Sequence, residues 1–505
     1  MTASGPVLAA LDFGTGGGKC MLVDATGRCL AVAREPWGYR EEPVDPPGFT
    51  RGYSFDPEAF WEALGRCTRA ALAAAGIPAG AIVGVSATAQ RLGSVFLDER
   101  GREIYAGPNM DGRGFDGAMK IMGTLGLDRA VAIGGHWPPF VSSLARLLVH
   151  RARDGTPPVA KMLTLSDWIG WRLSGELFSE PSNACETMLL DFPTRAWSRE
   201  VQAAFEVDPS LLPPIVEPAT RVGRVTAAAA RTTGLREGTP VFAGGGDTQC
   251  ALLGSDVVAP GRAGAVLGTT TPVMSVLAEP TIDPAGRLWS GCHVLPGRFT
   301  LESNSGDTGI TWEWLLELVG LRDPSAFETA EAEIALLPGD PQPAFGVVGP
   351  QVFDLLSFNP NQAFGFLLRM PPFTPRPGRA TLLRSFQENV VCAVRANLEQ
   401  VESLLGAPVE SLTISGGMTR SPGLLAAFAR ILHRPILVSE EPNATALGAA
   451  VLAAAGAGLH PSISAAADAM VRLRPLPPDD RARDAWDAHY ARWRELYDQM
   501  RATTL

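Results

Sequence analysis

The sequence is poor in the residues that mark several classes of protein. Its 505 residues include seven cysteines, an odd number without a CxxC pair, so we expect reduced thiols, no structural zinc and a cytoplasmic location. Charged residues make up only 19%, and 43 Lys and Arg face 53 Asp and Glu, a formal net charge of −10. This balance argues against nucleic acid or an anionic membrane surface as a partner.

Long apolar runs are also missing. The nearest approach, residues 444–459, is rich in alanine and glycine, which is typical of a tightly packed helix and not of a membrane span. The first residues, MTASGPVLAALDFG, carry no basic segment before their apolar run, so neither export nor membrane insertion is expected. The 46% of hydrophobic residues suffices for large buried cores, and the length allows two to four domains.

What the sequence does contain is a pair of glycine turns between residues 240 and 273. One apolar run ends in three glycines followed by Asp247, and a second ends in Gly268, Thr269 and Thr270. Glycines let backbone N–H groups approach a polyanion, and a carboxylate beside them accepts a proton from an attacking hydroxyl. The combination favours phosphoryl transfer, although Gly and Asp also dominate ordinary strand-ending turns.

A similar unit opens the chain. An apolar run ends at Asp12, the glycine-rich turn at residues 14–19 follows, and residues 20–23 are apolar again, so the turn joins strand to strand. A dinucleotide fingerprint requires a helix after the turn and a glycine where Lys19 stands, and a Walker loop requires a glycine where Phe13 stands. A nicotinamide-dependent dehydrogenase is therefore disfavoured, and the turn is interpreted as a glycine-rich hairpin.

The two units suggest an internal repeat. Strand, Gly-Thr turn and strand recur about 250 residues apart, which favours a duplicated domain with one ligand gripped between two turns. Chance similarity of short turns is the alternative.

Other candidate residues follow predicted strands. A predicted strand ends in a polar turn that contains Gln90 and Arg91. Asp111 and Arg113 lie beyond a predicted hairpin, where an Asp and an Arg suit the hydroxyls of a small polyol. The alternative is that they are solvated loop charges. Residues 179–192 are interpreted as a polar loop running into apolar sequence. A strand at residues 412–415 leads into a glycine turn and a helix, an arrangement that commonly receives a nucleotide's base or sugar.

Two helices complete the predicted framework. Asp56 and Pro57 predict the start of a helix that continues to residue 71. Near the end of the chain, Trp486, Tyr490, Trp493, Tyr497 and Met500 share one helix face, which we interpret as a docking surface.

Seven short motifs resemble those of the FGGY carbohydrate kinases, which belong to the actin, hexokinase and Hsp70 ATPase superfamily. In order along the chain they are LDFGTGGGK, SDWIGWRLSGE, PSNACETMLLDF, GGGDTQ, VLGTTTP, ISGGMTRSPG and NATALGAA. The chain looks closest to the autoinducer kinase and xylulokinase branches, on LSGELFSEPSN, GGGDTQ and CHVLPGRF. The resemblance implies an α/β fold of two actin-like (ribonuclease H-like) domains, residues 1–250 and 251–505, with a ligand cleft between them.

The resemblance also implies a reaction: the γ-phosphate of MgATP passes to a hydroxyl of a small sugar, ketose or polyol, with ATP and Mg²⁺ as cofactors. It makes Asp247 the general base and, with Asp12, a ligand of Mg²⁺. The implied substrate contacts are Gln90, Arg91, Asp111, Arg113, Asp247, Thr248 and Gln249. The implied nucleotide contacts are Gly14, Thr15, Gly16, Gly17, Gly268, Thr269, Thr270, Gly416, Gly417, Met418 and Asn443. A homodimer is left open.

The chain departs from the family pattern in three places. Glycines at 16–18 replace hydroxyl residues, so backbone N–H groups would replace side-chain hydrogen bonds to phosphate and turnover would be lower. Asn443 replaces an acidic residue of many members, and AQRLG fits neither branch. A sugar- and nucleotide-binding sensor without turnover is the competing hypothesis, but the presence of both Asp12 and Asp247 favours the kinase.

Overall fold

The computed structural model describes residues 5–44, 50–354, 362–369, 372–373 and 376–504. The strands are β1 (Val7–Phe13), β2 (Gly17–Asp24), β3 (Cys29–Pro36), β4 (Arg40–Glu42), β5 (Gly52–Ser54), β6 (Ile82–Ala89), β7 (Ser94–Leu97), β8 (Glu103–Gly107), β9 (Lys161–Thr164), β10 (Leu190–Asp191), β11 (Ala196–Trp197), β12 (Arg221–Arg224), β13 (Pro240–Gly246), β14 (Arg262–Val266), β15 (Thr270–Leu277), β16 (Trp289–Cys292), β17 (Phe299–Asp307), β18 (Ala344–Val347), β19 (Gly365–Leu368), β20 (Ser411–Ser415), β21 (Ile436–Ser439) and β22 (Leu473–Leu476). The helices are α1 (Pro57–Ala75), α2 (Phe115–Leu125), α3 (Leu127–Gly134), α4 (Ser143–Ala152), α5 (Leu165–Ser174), α6 (Pro181–Ala184), α7 (Arg199–Ala204), α8 (Ala227–Thr233), α9 (Asp247–Leu253), α10 (Gly309–Leu318), α11 (Ala326–Ala335), α12 (Arg379–Leu405), α13 (Pro422–Ile431), α14 (Ala444–Gly456), α15 (Ile463–Met470) and α16 (Arg483–Ala502).

Two large sheets organise these elements. The first has the order β12-β13-β6-β1-β2-β3, and the second has the order β16-β17-β15-β14-β20-β21-β22. In each sheet an antiparallel hairpin, β1 with β2 or β14 with β15, adjoins two parallel neighbours, β6 and β13 or β20 and β21. An antiparallel strand, β12 or β22, follows on the far side. The shared order confirms the predicted α/β fold with two similar sheets and extends the repeat beyond the glycine turns.

Local sequence explains where helix α1 begins and ends. The Asp56 carboxylate accepts hydrogen bonds from the backbone N–H groups of Glu58 and Ala59, and Pro57 occupies the first turn. Gly76 ends the helix in the left-handed conformation, with φ of 64°. The predicted start of this helix is confirmed.

Helices α9 and α14 connect the two sheets. Helix α14 follows strands of the second sheet, yet its alanines pack against Leu8, Ala10 and Met21 of the first sheet and against Cys250 of α9. A Cβ on Gly448 would lie 1.8 Å from the carbonyl oxygen of Cys250, so the crossing requires glycine. The predicted tightly packed helix is confirmed. The predicted domain boundary at residues 250 and 251 falls inside α9 and stays a prediction.

The aromatic face of α16 is buried in the second half of the chain. Trp486, Tyr490, Trp493 and Tyr497 belong to the same apolar cluster as residues of α12, and the Trp493 indole donates to the Asn389 side chain at 2.9 Å. The predicted docking surface therefore serves packing within the chain. Over the described residues, no helix combines the length and the apolar character needed to cross a membrane.

The close crossing of α9 and α14 makes a testable prediction about stability. We expect Gly448→Ala to lower the free energy of unfolding by about 3 kcal/mol or more, because the added methyl overlaps the Cys250 carbonyl. The control is Gly123→Ala in α2, where nothing lies within 4 Å of the added methyl and helix propensity predicts a gain of about 0.5–1 kcal/mol. Urea unfolding followed by tryptophan fluorescence measures both, and equal stabilities would contradict the contact.

Candidate functional site

Asp247 lies where the glycine end of β13 becomes helix α9. Its Oδ1 accepts hydrogen bonds from the Thr248 backbone N–H at 2.7 Å and from the Thr248 hydroxyl at 3.2 Å. Burial raises the pKa of Asp247 to about 6, with Arg91 opposing the rise and the charge of Asp12 adding to it. The structure therefore brings Asp12, Arg91 and Asp247 close together, and among the described residues Asp247 Oδ2 accepts no hydrogen bond.

Asp12 faces a lysine across the first hairpin. Asp12 on β1 is the cross-strand partner of Lys19 on β2, and Lys19 Nζ lies 2.7 Å from Asp12 Oδ2. Asp12 is buried, whereas the lysine side chain is 22% exposed. In the sequence, Lys19 stands out only as a departure from the dinucleotide fingerprint, in which its position is a glycine. Hairpin pairing was the signal that could have placed it beside Asp12.

Arg91 is held by carboxylates from both halves of the chain. Its Nη1 lies 3.0 Å from Glu186 Oε1 and 2.7 Å from Glu302 Oε2, and its Nη2 donates to Glu302 Oε1 at 2.9 Å. Burial alone would lower the pKa of Arg91, but Glu302 and Glu186 raise it above its ordinary value. Burial also raises the pKa of Glu186 to about 7 against the opposing effect of Arg91. Both glutamates are absent from the residues that the sequence predicted.

The position of Glu186 corrects one interpretation of the sequence. Residues 179–192 were expected to form a polar loop, but the stretch folds into α6 and a following turn that are buried, with Glu180 fully buried and Glu186 1% exposed. Its polar side chains bond to one another; Glu180, for example, accepts from the hydroxyl and backbone N–H of Ser182. Polar composition misled the prediction because these groups satisfy each other inside the protein.

Aromatic side chains from both halves complete the wall beside Glu186. The His136 ring stacks on Trp289 with centroids 3.8 Å apart, and His136 Nε2 lies 3.9 Å from Glu186 Oε2. Burial lowers the pKa of His136 to about 4, so the ring is neutral. Several buried polar atoms here find no hydrogen-bond partner in the described parts of the chain: His136 Nε2, Trp137 Nε1, Trp289 Nε1, Glu186 Oε2, Asn109 Oδ1 and both amide atoms of Gln249. Such atoms suit a polar ligand.

Gln90 and Gln249 lie on either side of this region. The Thr15 hydroxyl donates to Gln90 Oε1 at 3.3 Å and accepts from Asn109 Nδ2 at 3.1 Å. Gln249 and Arg91 both flank Gly246, since a Cβ there would lie 2.7 Å from Gln249 Oε1 and 3.1 Å from Arg91 Cγ. Thr15, which is predicted to contact phosphate, thus contacts Gln90, which is predicted to contact the sugar.

The first glycine turn has two kinds of glycine. A Cβ on Gly17 would lie 2.6 Å from the Glu35 carbonyl oxygen, and one on Gly18 would lie 2.5 Å from the Trp37 ring. Gly16 meets nothing within 4 Å, and the Gly14 N–H closes the turn on the Gly17 carbonyl at 3.0 Å. Packing therefore demands glycine at 17 and 18, whereas the space over Gly16 is open to a ligand.

The second and third glycine turns adjoin each other. The Gly268 N–H donates to the Thr270 carbonyl at 3.1 Å, and Thr269 and Thr270 are exposed. A Cβ on Gly416, where φ is 99°, would lie 2.5 Å from the Leu267 carbonyl oxygen. In the same turn the Met418 N–H donates to that oxygen at 3.4 Å, and nothing lies within 4 Å of a Cβ on Gly417. The turn predicted to contact adenosine, at residues 416–418, thus contacts Leu267, the residue directly before the turn predicted to contact phosphate, at residues 268–270.

Asn443 lies at the start of α14 and contacts the first half. It accepts a hydrogen bond from Arg34 on β3, and its own side-chain and backbone N–H groups donate to Glu441 at 2.6 and 2.8 Å. Its expected contact with adenosine stays a prediction.

Asp111 and Arg113 form a separate buried network. Asp111 accepts from Arg113 Nε at 2.8 Å, from the Tyr53 backbone N–H at 3.1 Å and from the Tyr105 hydroxyl. Burial opposes ionisation, but Arg146 and Arg113 hold the pKa of Asp111 below its ordinary value. A sugar hydroxyl would have to displace one of these partners, and the expected sugar contact stays a prediction.

Comparison with known proteins shows the family to which the chain belongs. The N-terminal domain model of the FGGY family of carbohydrate kinases matches residues 7–254, and the C-terminal domain model matches residues 263–457. The autoinducer-2 kinase of Salmonella typhimurium is 32% identical over 530 residues, covering 100% of this chain and 98% of that protein.

Solved structures share the fold. The xylulose kinase from Rhodospirillum rubrum has a TM-score of 0.79 at 24% identity, with 98% of each chain covered. The gluconate kinase from Lactobacillus acidophilus has a TM-score of 0.83 at 15% identity, with 99% of each chain covered. The two sheet-containing halves therefore have the actin-like fold that these sugar kinase structures share. The chain belongs to the FGGY family of carbohydrate kinases, which use ATP as phosphate donor.

The Asp111 network generates a prediction that separates folding from sugar binding. We expect Asp111→Asn to lower the free energy of unfolding by roughly 3 kcal/mol or more, because it leaves the buried Arg113 and Arg146 without their carboxylate. Urea unfolding measures the loss, and Asp154→Asn in an exposed loop is the control. Unchanged stability with a tenfold higher KM for the sugar would instead support the contact that the sequence predicts.

Proposed function

We propose that this kinase transfers the γ-phosphate of ATP to a hydroxyl of a small open-chain sugar, ketose or polyol, of the xylulose or autoinducer-2 kind, with Asp247 as general base. The observation that carries the proposal is the setting of Asp247, a carboxylate in the cleft with one uncommitted oxygen beside Arg91 and Asp12. The relatives at 32% identity are autoinducer-2 kinases, which supports an acceptor of that size and polarity.

Phosphoryl transfer from ATP to a hydroxyl requires no covalent bond between the substrate and the protein. Phosphoryl transfer depends on positioning and on neutralisation of charge, so the main tasks are to align the acceptor oxygen with the γ-phosphate and to remove its proton. Asp247 Oδ2 accepts that proton. A pKa of about 6 suits the task, because the carboxylate is ionised at neutral pH and remains a better base than an exposed aspartate.

The glycine turns supply backbone donors for the phosphates. The open space over Gly16 and the exposed Thr269 and Thr270 suit phosphate oxygens that approach from both halves. Lys19, 2.7 Å from Asp12, adds a positive charge at the cleft end of the first hairpin. The absence of hydroxyl side chains at 17 and 18 is then a consequence of packing and not a sign of lost function.

The acidic residues present suit Mg²⁺. This ion commonly takes one or two carboxylates and completes its shell with water and phosphate oxygens. The described residues contain no group of three or more His, Cys, Asp or Glu side chains able to hold a metal, but Asp12 and Asp247 meet the smaller requirement. We assign these two carboxylates to Mg²⁺, which when bound would neutralise charge on the phosphates.

Replacing the base tests the assignment directly. We expect Asp247→Asn to lower kcat/KM by about 10²- to 10⁴-fold, because an amide cannot accept the hydroxyl proton. Binding of ATP in the absence of Mg²⁺, measured by thermal shift, stays within about twofold of the wild type, since the base acts on the acceptor. Asp154→Asn is the matched control. Near-normal turnover by Asp247→Asn would remove Asp247 from the mechanism.

The pH dependence of the reaction follows from the raised pKa of Asp247. Activity requires the ionised carboxylate, so it is full above pH of about 7 and falls as the pH drops through about 6, to roughly one tenth at pH 5. The profile of kcat/KM for ATP, which reports the enzyme before ATP and Mg²⁺ bind, measures this limb. Circular dichroism at pH 5 checks that the protein stays folded. An acid limb near the ordinary value of 3.8 would contradict the proposal.

The acceptor is identified by ADP release across ketopentoses, tetruloses, polyols and linear diketone-derived signals. A kinase releases ADP with at least one of them. Thermal shifts with sugar and ATP but without ADP release would instead establish the sensor.

A further inference from the structure

The guanidinium of Arg91 is already occupied. Two of its nitrogens make three close contacts with the carboxylates of Glu186 and Glu302, at 3.0, 2.7 and 2.9 Å. Glu186 comes from the first half of the chain and Glu302 from β17 in the second, and both side chains are at most 5% exposed. An arginine held on two sides is poorly placed to form the paired hydrogen bonds by which arginine recognises a carboxylate.

The charge around Arg91 is also acidic. Glu186, Glu302 and Asp247 face this one guanidinium, and each influences its pKa in the direction expected of a negative neighbour. Lys19, a second cation near Asp247, is paired with Asp12. A ligand carboxylate would therefore enter a buried region where acids already outnumber cations, and it would have to displace a glutamate from Arg91.

The atoms left over suit a neutral ligand. Glu186 Oε2 and Asn109 Oδ1 are buried acceptors, and the Trp137 and Trp289 indoles are buried donors, all without partners in the described residues. Hydroxyl and carbonyl groups together match such a mixture, because a hydroxyl both donates and accepts.

We propose that Glu186 and Glu302 determine the charge of the acceptor, so that the site takes neutral sugars, ketoses and polyols and rejects sugar acids. The inference rests on the proposed function and narrows its substrate class. The fold by itself does not make this choice, since a structure named gluconate kinase shares it with a TM-score of 0.83. The two glutamates are therefore residues that determine specificity for the charge of the acceptor.

Steady-state kinetics at about pH 8, above the pKa of about 7 of Glu186, tests the selectivity with acceptors matched in carbon number. The panel pairs D-xylulose and xylitol with D-xylonate, and D-glucitol with D-gluconate. For at least one carbon number, we expect the wild-type kcat/KM for the better neutral compound to exceed the kcat/KM for the corresponding acid by about 100-fold or more. This ratio corresponds to the cost of one unpaired buried charge. A wild type that phosphorylates the acids equally well would overturn the proposal.

Two isosteric variants test the residues. Glu302→Gln and Glu186→Gln keep the side-chain shape and remove a negative charge, so each frees a part of Arg91 for a ligand carboxylate. We expect the ratio of acid to neutral kcat/KM to rise about tenfold or more in each, a change of about 1.4 kcal/mol. Glu200→Gln, which removes an exposed carboxylate paired with Arg129, leaves the ratio unchanged. An unchanged ratio in both folded variants would overturn the role of the glutamates.

Binding separates this inference from the proposed function. Calorimetry of the same compounds with the wild type and a non-hydrolysable ATP analogue reports charge selectivity without catalysis. Preference for neutral compounds without ADP release by the wild type would overturn the proposed function alone. Tighter binding of the acids, or binding of neither class, would overturn the charge selectivity, and these measurements decide the matter even if the glutamate variants do not fold.

Discussion

The ion cluster around Arg91 is the interaction on which the site depends. Ionised groups are costly to bury unless they are paired, and here Glu186, Glu302 and Asp247 surround a single guanidinium. Because Glu302 comes from β17 and Arg91 from the turn after β6, the pairing also joins the two halves of the chain beside the proposed base. The stacked rings of His136 and Trp289, with centroids 3.8 Å apart, make a second contact between the two halves. Charge pairing at the site and contact between the two halves of the chain are therefore coupled.

The crossing helices explain how these groups reach their places. Helix α9 carries Asp247 at its first residue, and α14 holds α9 against the first sheet through the backbone contact at Gly448. The strict packing there contrasts with the open space over Gly16 in the first hairpin turn. Glycine thus serves two purposes in this chain: it permits backbones to touch inside the protein, and it leaves room for a ligand at the cleft.

Much of the fold could be predicted because its signals are local. The apolar runs, the Asp56 cap and the glycine turns predicted strands, helix α1 and the repeat, and the paired hairpins β1–β2 and β14–β15 confirm them. The sequence also led to Asp12, Arg91 and Asp247, which lie together. It did not lead to Glu186, Glu302, His136 or Trp289, because nothing in the neighbourhood of each residue indicates that the chain brings them to one point. For Glu186 the polar composition even pointed to an exposed loop.

The sequence by itself determined the α/β class, the order of the motifs and the family, since each follows from periodicity or from short motifs in fixed order. Tertiary structure decided what the side chains do. Asp111 and Arg113 are bound to each other and to Tyr105, and Asn443 to Arg34, through contacts that sequence separation conceals. It also decided the pKa of Asp247, which depends on burial and on two charges distant in the chain. Burial and charge pairing are properties of three-dimensional proximity, so periodicity and motif order do not encode them locally.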